Sequence, residues 1–176
     1  RQNMMFSATM PREIRELADK ILRDPHVVEL AHTEPLETIE HALVPVDENN
    51  KVETLKRLLA KDAAATAIIF TRTKHRARRL AQQLEKSDHR AVALQGNMSQ
   101  AQRDRAMAGF RSGHFDILVA TDIAARGIDV AKISYVINYD VPNTPDAYTH
   151  RIGRTGRAEC LGKAFTFITA ADTGMI

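Results

Sequence analysis

Short apolar runs, each four or five residues long, set the fold class of this chain: Ala67–Phe70, Ala91–Leu94, Ile117–Ala120, Tyr135–Asn138 and residues 164–168. Segments with helical spacing separate them, at 74–86, 99–111 and 145–152, with a short turn near 123–126. A strand that is apolar along its whole length is buried on both faces. Alternation of such strands with helices therefore predicts α/β architecture, a doubly wound parallel sheet with helices on both faces. Residues 39–46 alternate instead, as a half-buried or edge strand does, and 51–59 reads as a short helix. Parallel sheets of this kind place ligand chemistry on the loops at the carboxyl ends of their strands.

The first part of the chain follows another pattern. Residues 1–9 read as a strand entering a small-residue turn, and Pro11 opens a helix to residue 22 with Ile14, Leu17, Ala18, Ile21 and Leu22 on one side. Residues 31–38 are polar and read as a linker. The expected organisation is a strand and helix in 1–30, a linker at 31–38, and a complete domain over 39–176. The start at Arg1, inside a strand-like run, reads as a piece of a longer protein.

Composition excludes several classes. Cys160 is the only cysteine, which rules out an intramolecular disulfide and a multi-cysteine zinc site and suits a reducing, cytoplasmic setting. The longest apolar run, 63–70, is too short to cross a bilayer, so no membrane partner is expected. A net charge of +3 and a pI near 9.2 permit a nucleic-acid partner, and the placement of the charges must decide.

That placement favours the carboxyl-end loops. Residues 71–74 (Thr-Arg-Thr-Lys) combine hydroxyls, cations and a helix start that could meet a phosphate. Behind them Ala77, Leu80, Ala81 and Leu84 form one helical face, leaving Arg76, Arg78 and Arg79 as candidates for plain solvated surface. Residues 95–103 place Gly96 where a backbone can come close, Ser99 as N-cap, and Gln100 and Arg103 one turn apart, both able to donate to phosphate. Residues 121–129 (Thr-Asp-Ile-Ala-Ala-Arg-Gly-Ile-Asp) carry a carboxylate able to accept from a ribose hydroxyl, or an Asp122–Arg126 ion pair holding the loop. Finally, 150–157 read His-Arg-Ile-Gly-Arg-Thr-Gly-Arg, with Arg151, Arg154 and Arg157 at every third residue. Guanidinium forks match phosphate oxygens in pairs, and the interleaved glycines allow tight turns. Thr144, Pro145 and Asp146 predict a helix start, with the helix ending near Gly153.

Taken in order, Ser7-Ala-Thr9 and the segments 70–74, 95–103, 121–129 and 150–157 resemble the motifs of DEAD-box RNA helicases. The resemblance covers essentially the whole chain, and residues 70–75 (Phe-Thr-Arg-Thr-Lys-His) lean toward the bacterial RhlE-type branch. It implies a RecA-like second domain over 39–176, preceded by the last strand and helix of a first RecA-like domain, its natural partner. By the resemblance, Arg154 and Arg157 reach the γ-phosphate of ATP, and His150 contacts the first domain's catalytic motifs. Gly127 and Asp129 meet the ATP ribose side. Arg72, Thr73, Lys74, Gly96, Gln100, Arg103, Thr121, Asp122 and Arg126 meet the RNA backbone, and Ser7 and Thr9 couple ATP state to unwinding. Gln95 departs from the usual His, and Asn97 is a common alternative to Asp. ATP and Mg²⁺ are the implied cofactors, bound mainly by the first domain.

The sequence shows no glycine-rich Lys-Ser/Thr loop and no acidic Mg²⁺ motif, both required for phosphoryl transfer, so this stretch alone is expected to be catalytically silent. The function so read is an ATP-dependent RNA helicase. An ATP-independent RNA-annealing module and a DNA-translocating relative stand as alternatives.

Overall fold

A computed structural model describes residues 2–7, 10, 12–28, 39–62, 65–125, 128, 130, 133–156, 161–172 and 174. The chain divides into two compact units, Arg1–Thr33 and Glu34–Ile176.

In the first unit, helix α1 (Arg12–Ile21) forms where the apolar spacing predicts it, with Ala18 buried. The expected strand does not form: residues 2–7 are irregular. A strand needs a neighbour to accept its N–H and C=O groups, and no strand lies among the described residues of this unit. Met4 and Phe6 stay 72% and 84% exposed, as large apolar side chains do without a sheet to cover them.

The second unit is a parallel six-stranded sheet. Its strands are β1 (Ile39–Pro45), β2 (Ala67–Phe70), β3 (Ala91–Leu94), β4 (Ile117–Ala120), β5 (Tyr135–Asn138) and β6 (Gly162–Ile168), in the order β1-β6-β5-β2-β4-β3. Helices α2 (Lys51–Ala60), α3 (Lys74–Glu85), α4 (Gln100–Arg111) and α5 (Pro145–Ile152) cover it. β6 begins before the residue 164 read from hydropathy because Gly162 pairs with Ile39, and that pairing extends the ladder. β1 lies at the sheet's edge and keeps an alternating exposure, as its sequence predicts.

Side-chain alternation sorts the strands into two cores. Ile68, Phe70, Leu118, Ala120 and Val136 join Ala106 and Phe110 of α4 and Ile152 of α5. Ala67, Ile69, Ile117, Val119 and Ile137 join Leu55 of α2 and Ala77, Leu80 and Leu84 of α3. The period of two along each strand thus assigns α4 and α5 to one face and α2 and α3 to the other. Thr73 caps α3, Thr144 caps α5, and Ser99 closes a capping box with Gln102 on α4. These caps fix where each carboxyl-end loop stops.

Leu84 is fully buried between α3 and the sheet, and Arg79 lies exposed on the same helix. Leu84→Ala should cost about 2–5 kcal/mol of stability in urea unfolding. Arg79→Ala should stay within about 0.5 kcal/mol.

Candidate functional site

The site is built around Arg151, which is only 3% exposed. Its Nε and Nη2 donate to the two carboxylate oxygens of Asp122 at 2.6 and 2.8 Å. Its Nη1 donates to Asn138 Oδ1 at 3.1 Å and to the Asp140 carbonyl at 2.7 Å. The guanidinium lies 5.2 Å from the centroid of the Phe70 ring. One side chain of α5 therefore ties the carboxyl ends of β2, β4 and β5 together, and the paired fork on Asp122 is the geometry that an ammonium cannot reproduce. Both Asp122 oxygens accept from Arg151; the alternative of an Asp122–Arg126 pair falls on Arg126, which lies outside the described residues.

A second node, Asp140, is 2% exposed. Its Oδ2 accepts from the Arg72 backbone N–H at 2.8 Å. Its Oδ1 pairs with the Arg76 guanidinium and lies 3.6 Å from the Lys51 ammonium. Glu48 closes the cluster, 3.1 Å from Lys51 and 2.6 Å from Arg76. Both cations also sit over the Tyr139 ring, at 5.3 and 5.9 Å from its centroid. Burial pushes the Tyr139 phenol up to about 12. Burial pulls the Arg76 guanidinium down, but Asp140 and Glu48 outweigh it and its pKa rises. Arg76 is thus no solvated surface residue, whereas Arg78 and Arg79 are exposed. Sequence reasoning missed Asp140, Lys51 and Glu48. The available signal was an acidic residue two positions past a strand end, where carboxyl-end chemistry belongs.

The two nodes position the candidate loops. Thr71 is buried and donates from its N–H to the Ala120 carbonyl at 2.9 Å, while Thr73 accepts from the Arg76 N–H as N-cap. Arg72 is half-exposed, 3.8 Å from Asp172. Lys74 Nζ donates to Asn97 Oδ1 at 3.1 Å, joining the loops after β2 and β3. Gln95 accepts from the Asn97 N–H at 2.7 Å and so shapes the turn around Gly96. Gly96 faces open space, and a Cβ there would meet nothing within 4 Å. Gln100 donates to Asp104 at 2.8 Å, and Arg103 reaches the Ala124 carbonyl at 3.2 Å. The Arg103 bond ties α4 to the turn that Thr121 opens by accepting from the Ala125 N–H at 2.9 Å.

Arg154 follows α5 on a turn, and its Nη1 donates to the Ile128 carbonyl at 2.8 Å. The arginine segment is thereby set against the loop after β4. Thr155, 1% exposed, donates to the Ile133 carbonyl. Gly156 adopts φ +68, a left-handed conformation that glycine takes at little cost. Opposite it, a Cβ on Gly162 would lie 2.3 Å from Thr155 Oγ1 and 2.6 Å from the Gly156 nitrogen, so only glycine fits there. His150 is exposed on α5, and Ser7 is exposed in the first unit. Thr9, Gly127, Asp129 and Arg157 lie outside the described residues. Among the described residues no group of three or more His, Cys, Asp or Glu side chains is placed to hold a metal ion.

Removing Arg151 would strand Asp122, Asn138 and the Asp140 carbonyl. Arg151→Ala should therefore destabilise the fold by about 3–5 kcal/mol in denaturant unfolding, with Arg151→Lys recovering only part. Acid stability tests Asp172. Burial alone would raise its pKa, but hydrogen bonds from Thr169 and the charges of Lys51 and Arg72 hold it below the ordinary value. A carboxylate depressed in the folded state stabilises fully above its unfolded pKa, and that stabilisation disappears as pH falls through the folded pKa. Asp172→Asn should flatten the acid limb of a stability-versus-pH curve in that window and leave its slope near neutral pH unchanged.

Comparison with known proteins gives the family. Residues 50–159 match the model of the helicase conserved C-terminal domain. The chain is 41% identical over 177 residues to the DEAD-box ATP-dependent RNA helicase CshA of Geobacillus kaustophilus, covering 100% of this chain and 38% of that protein. A DEAD box protein from Methanococcus jannaschii superposes with a TM-score of 0.75 at 40% identity, over 97% of this chain and 46% of that one. Dbp5 of S. cerevisiae, solved bound to RNA and ADP BeF3, superposes with a TM-score of 0.80 at 33% identity, over 93% and 44% of the two chains. The chain thus spans little more than a third of the length of its CshA relative. With its parallel sheet, its arginine-bearing α5 and this match, the chain belongs to the helicase conserved C-terminal domain family, in the form that DEAD-box helicases carry.

Proposed function

We propose that this chain supplies the second RecA-like domain of an ATP-dependent RNA helicase and acts in the cytoplasm together with a first RecA-like domain. The observation that carries this reading is Arg154, braced on the Ile128 carbonyl at the carboxyl edge of the sheet beside the locked Arg151–Asp122 pair. A guanidinium held there is pre-positioned to meet a nucleotide bound by a facing domain. Preorganised charge of this kind lowers a barrier without reorganisation during the reaction.

In this mechanism Arg154 and Arg157 neutralise charge that builds on the γ-phosphoryl oxygens as the phosphoryl group transfers to water. Asp129 accepts from the ATP ribose, with Gly127 permitting close approach. His150, on the solvent side of α5, faces the catalytic motifs of the first domain, and Ser7 and Thr9 couple nucleotide state to unwinding. Mg²⁺, when bound, would be held by the first domain and would supply charge neutralisation there. RNA lies along Arg72, Thr73, Lys74, Gly96, Gln100, Arg103, Thr121, Asp122 and Arg126, through its sugar–phosphate backbone. The fixed turns support such a role: phosphate contacts set position and carry little base information. The RhlE-type leaning rests on residues 70–75 alone, since the relative reported above bears the CshA name.

In the intact enzyme, Arg154→Ala should reduce single-turnover ATP hydrolysis by about 10³–10⁵-fold, the range of arginine fingers in other NTPases. ATP affinity, measured in parallel, should be nearly unchanged, and Arg154→Lys should recover little of the rate. Near-normal turnover, or a defect confined to ATP affinity, would overturn the role. RNA stimulation of hydrolysis exceeding that of DNA separates this reading from a DNA-translocating relative.

A further inference from the structure

The outer edge of the sheet carries a groove that these roles touch only at Lys74. β3 ends the strand order, with α3 and α4 packed against opposite faces of the sheet. Between the two helix layers lies a cavity of about 590 Å³, lined among others by Lys74, Arg78, Arg105, Val92, Met98 and Phe115. That volume lies in the range of sites for ligands of nucleotide size.

Two features say what would fill it. The first is charge. The lining holds Lys74, Arg78 and Arg105 together with His75, and it contains no Asp or Glu. None of the three permanent cations forms an ion pair among the described residues. Lys74 donates to the neutral Asn97 amide, and Arg105 to a carbonyl of its own helix, at 3.1 and 3.3 Å. Uncompensated cations on the walls of a recess concentrate field there and draw an anion. The second feature is an apolar floor. Phe115 packs onto α4 at Gly109, where a Cβ would lie 2.7 Å from its ring. Val92 and Met98 are half-buried beside it. Cations at the rim and a ring with a thioether at the floor suit a phosphate attached to a flat apolar face. That is the chemistry of a nucleotide in a single strand.

Continuity chooses the occupant. Lys74 and Asn97 belong both to this groove and to the turns over which the RNA backbone is proposed to run, and their hydrogen bond forms the shared wall. We propose that the groove between α3 and α4 along the β3 edge is a subsite for a nucleotide flanking the main RNA site, with Arg78 and Arg105 on its phosphates and Phe115 and Met98 against its base. This rests on the reading that the turns at 71–74 and 95–103 meet RNA. An acidic peptide adding to the open edge of β3 is the competing occupant.

The test uses this chain with fluorescent single-stranded RNA of two lengths, one filling only the main site and one several nucleotides longer. Arg78→Ala with Arg105→Ala should leave the short RNA unaffected. It should weaken the long one roughly tenfold and reduce the slope of log affinity against log salt by about 1.4, since each single-strand phosphate contact contributes about 0.7. Lys74→Ala with Gln100→Ala should weaken both lengths. If that second variant loses affinity while Arg78→Ala with Arg105→Ala binds both RNAs as the parent does, the subsite is wrong and the main-site reading stands. If neither variant changes binding, both readings fall. Loss of binding to a polyglutamate peptide, without loss for RNA, would assign the groove to a protein partner and overturn the subsite. Photocrosslinking of the unaltered chain to thiouridine-substituted long RNA gives a readout independent of variant folding. Crosslinks in the peptides containing Met98 or Phe115 support the subsite, and crosslinks confined to residues 71–74 and 121–125 overturn it.

Discussion

The second unit depends on a guanidinium buried at the carboxyl edge of its sheet. A charge taken out of water carries a large desolvation penalty, and Arg151 offsets it only because every side of its fork meets an acceptor. Asp122 takes two hydrogen bonds, Asn138 and the Asp140 carbonyl take the others, and Phe70 covers one face. The partners come from the end of β5 and the loops after β4 and β5, with Phe70 closing β2, so they exist together only when the strands lie in register. The interaction is therefore less a source of net stability than a condition on the arrangement. A sheet out of register by one residue would bury the same apolar area on the wrong face and leave this cation unpaired.

From that anchor the loops follow by hydrogen bonds in each of which a backbone group takes part. Asp140 accepts from the Arg72 N–H, Ala120 from the Thr71 N–H, and Ala124 from the Arg103 side chain. Each bond joins a carboxyl-end loop to another such loop, to a strand end or to α4. Arg154 extends the mesh by resting on Ile128. The consequence for function is stiffness. A group that must meet phosphate in a fixed geometry gains from a mount that does not have to be ordered at the moment of binding.

Much of this was legible in the residues. The four-residue strands β2 and β4 were readable from unbroken apolar runs, because burial on both faces leaves no polar position to blur their ends. The helix starts at Thr73, Ser99 and Thr144 were readable because an N-cap hydroxyl has a local job. The helix end near Gly153 was readable, which put Arg151 inside α5 and Arg154 beyond it. Other features depend on distant chain and were not readable. The strand expected at residues 1–9 does not form over the described residues 2–7 because a strand is a property of a pair, and no second strand lies among the described residues of that unit. Asp140 and Lys51 look like ordinary surface residues in one dimension. Their burial follows from Glu48 and Arg76 arriving from other elements. Gln100 and Arg103 share a helical face by spacing alone, yet Asp104 and Ala124 draw them to separate tasks.

Sorting the cations by what neutralises them separates support from recognition. Lys51, Arg76 and Arg151 are each spent on buried carboxyl or carbonyl groups, so they add nothing to the field outside the molecule. Lys74, Arg78 and Arg105 sit together at the β3 edge with no carboxylate in the lining of their groove. A net charge of only +3 therefore understates how basic that edge is, because the total counts internal pairs and external charges alike. The distinction is physical: a compensated guanidinium contributes a short-range dipole, an uncompensated one a monopole that reaches about a Debye length into solution. An anionic strand approaching this unit experiences the second kind first. The edge of the sheet and the turns that share Lys74 with it are thus the surface on which such a strand would first be held.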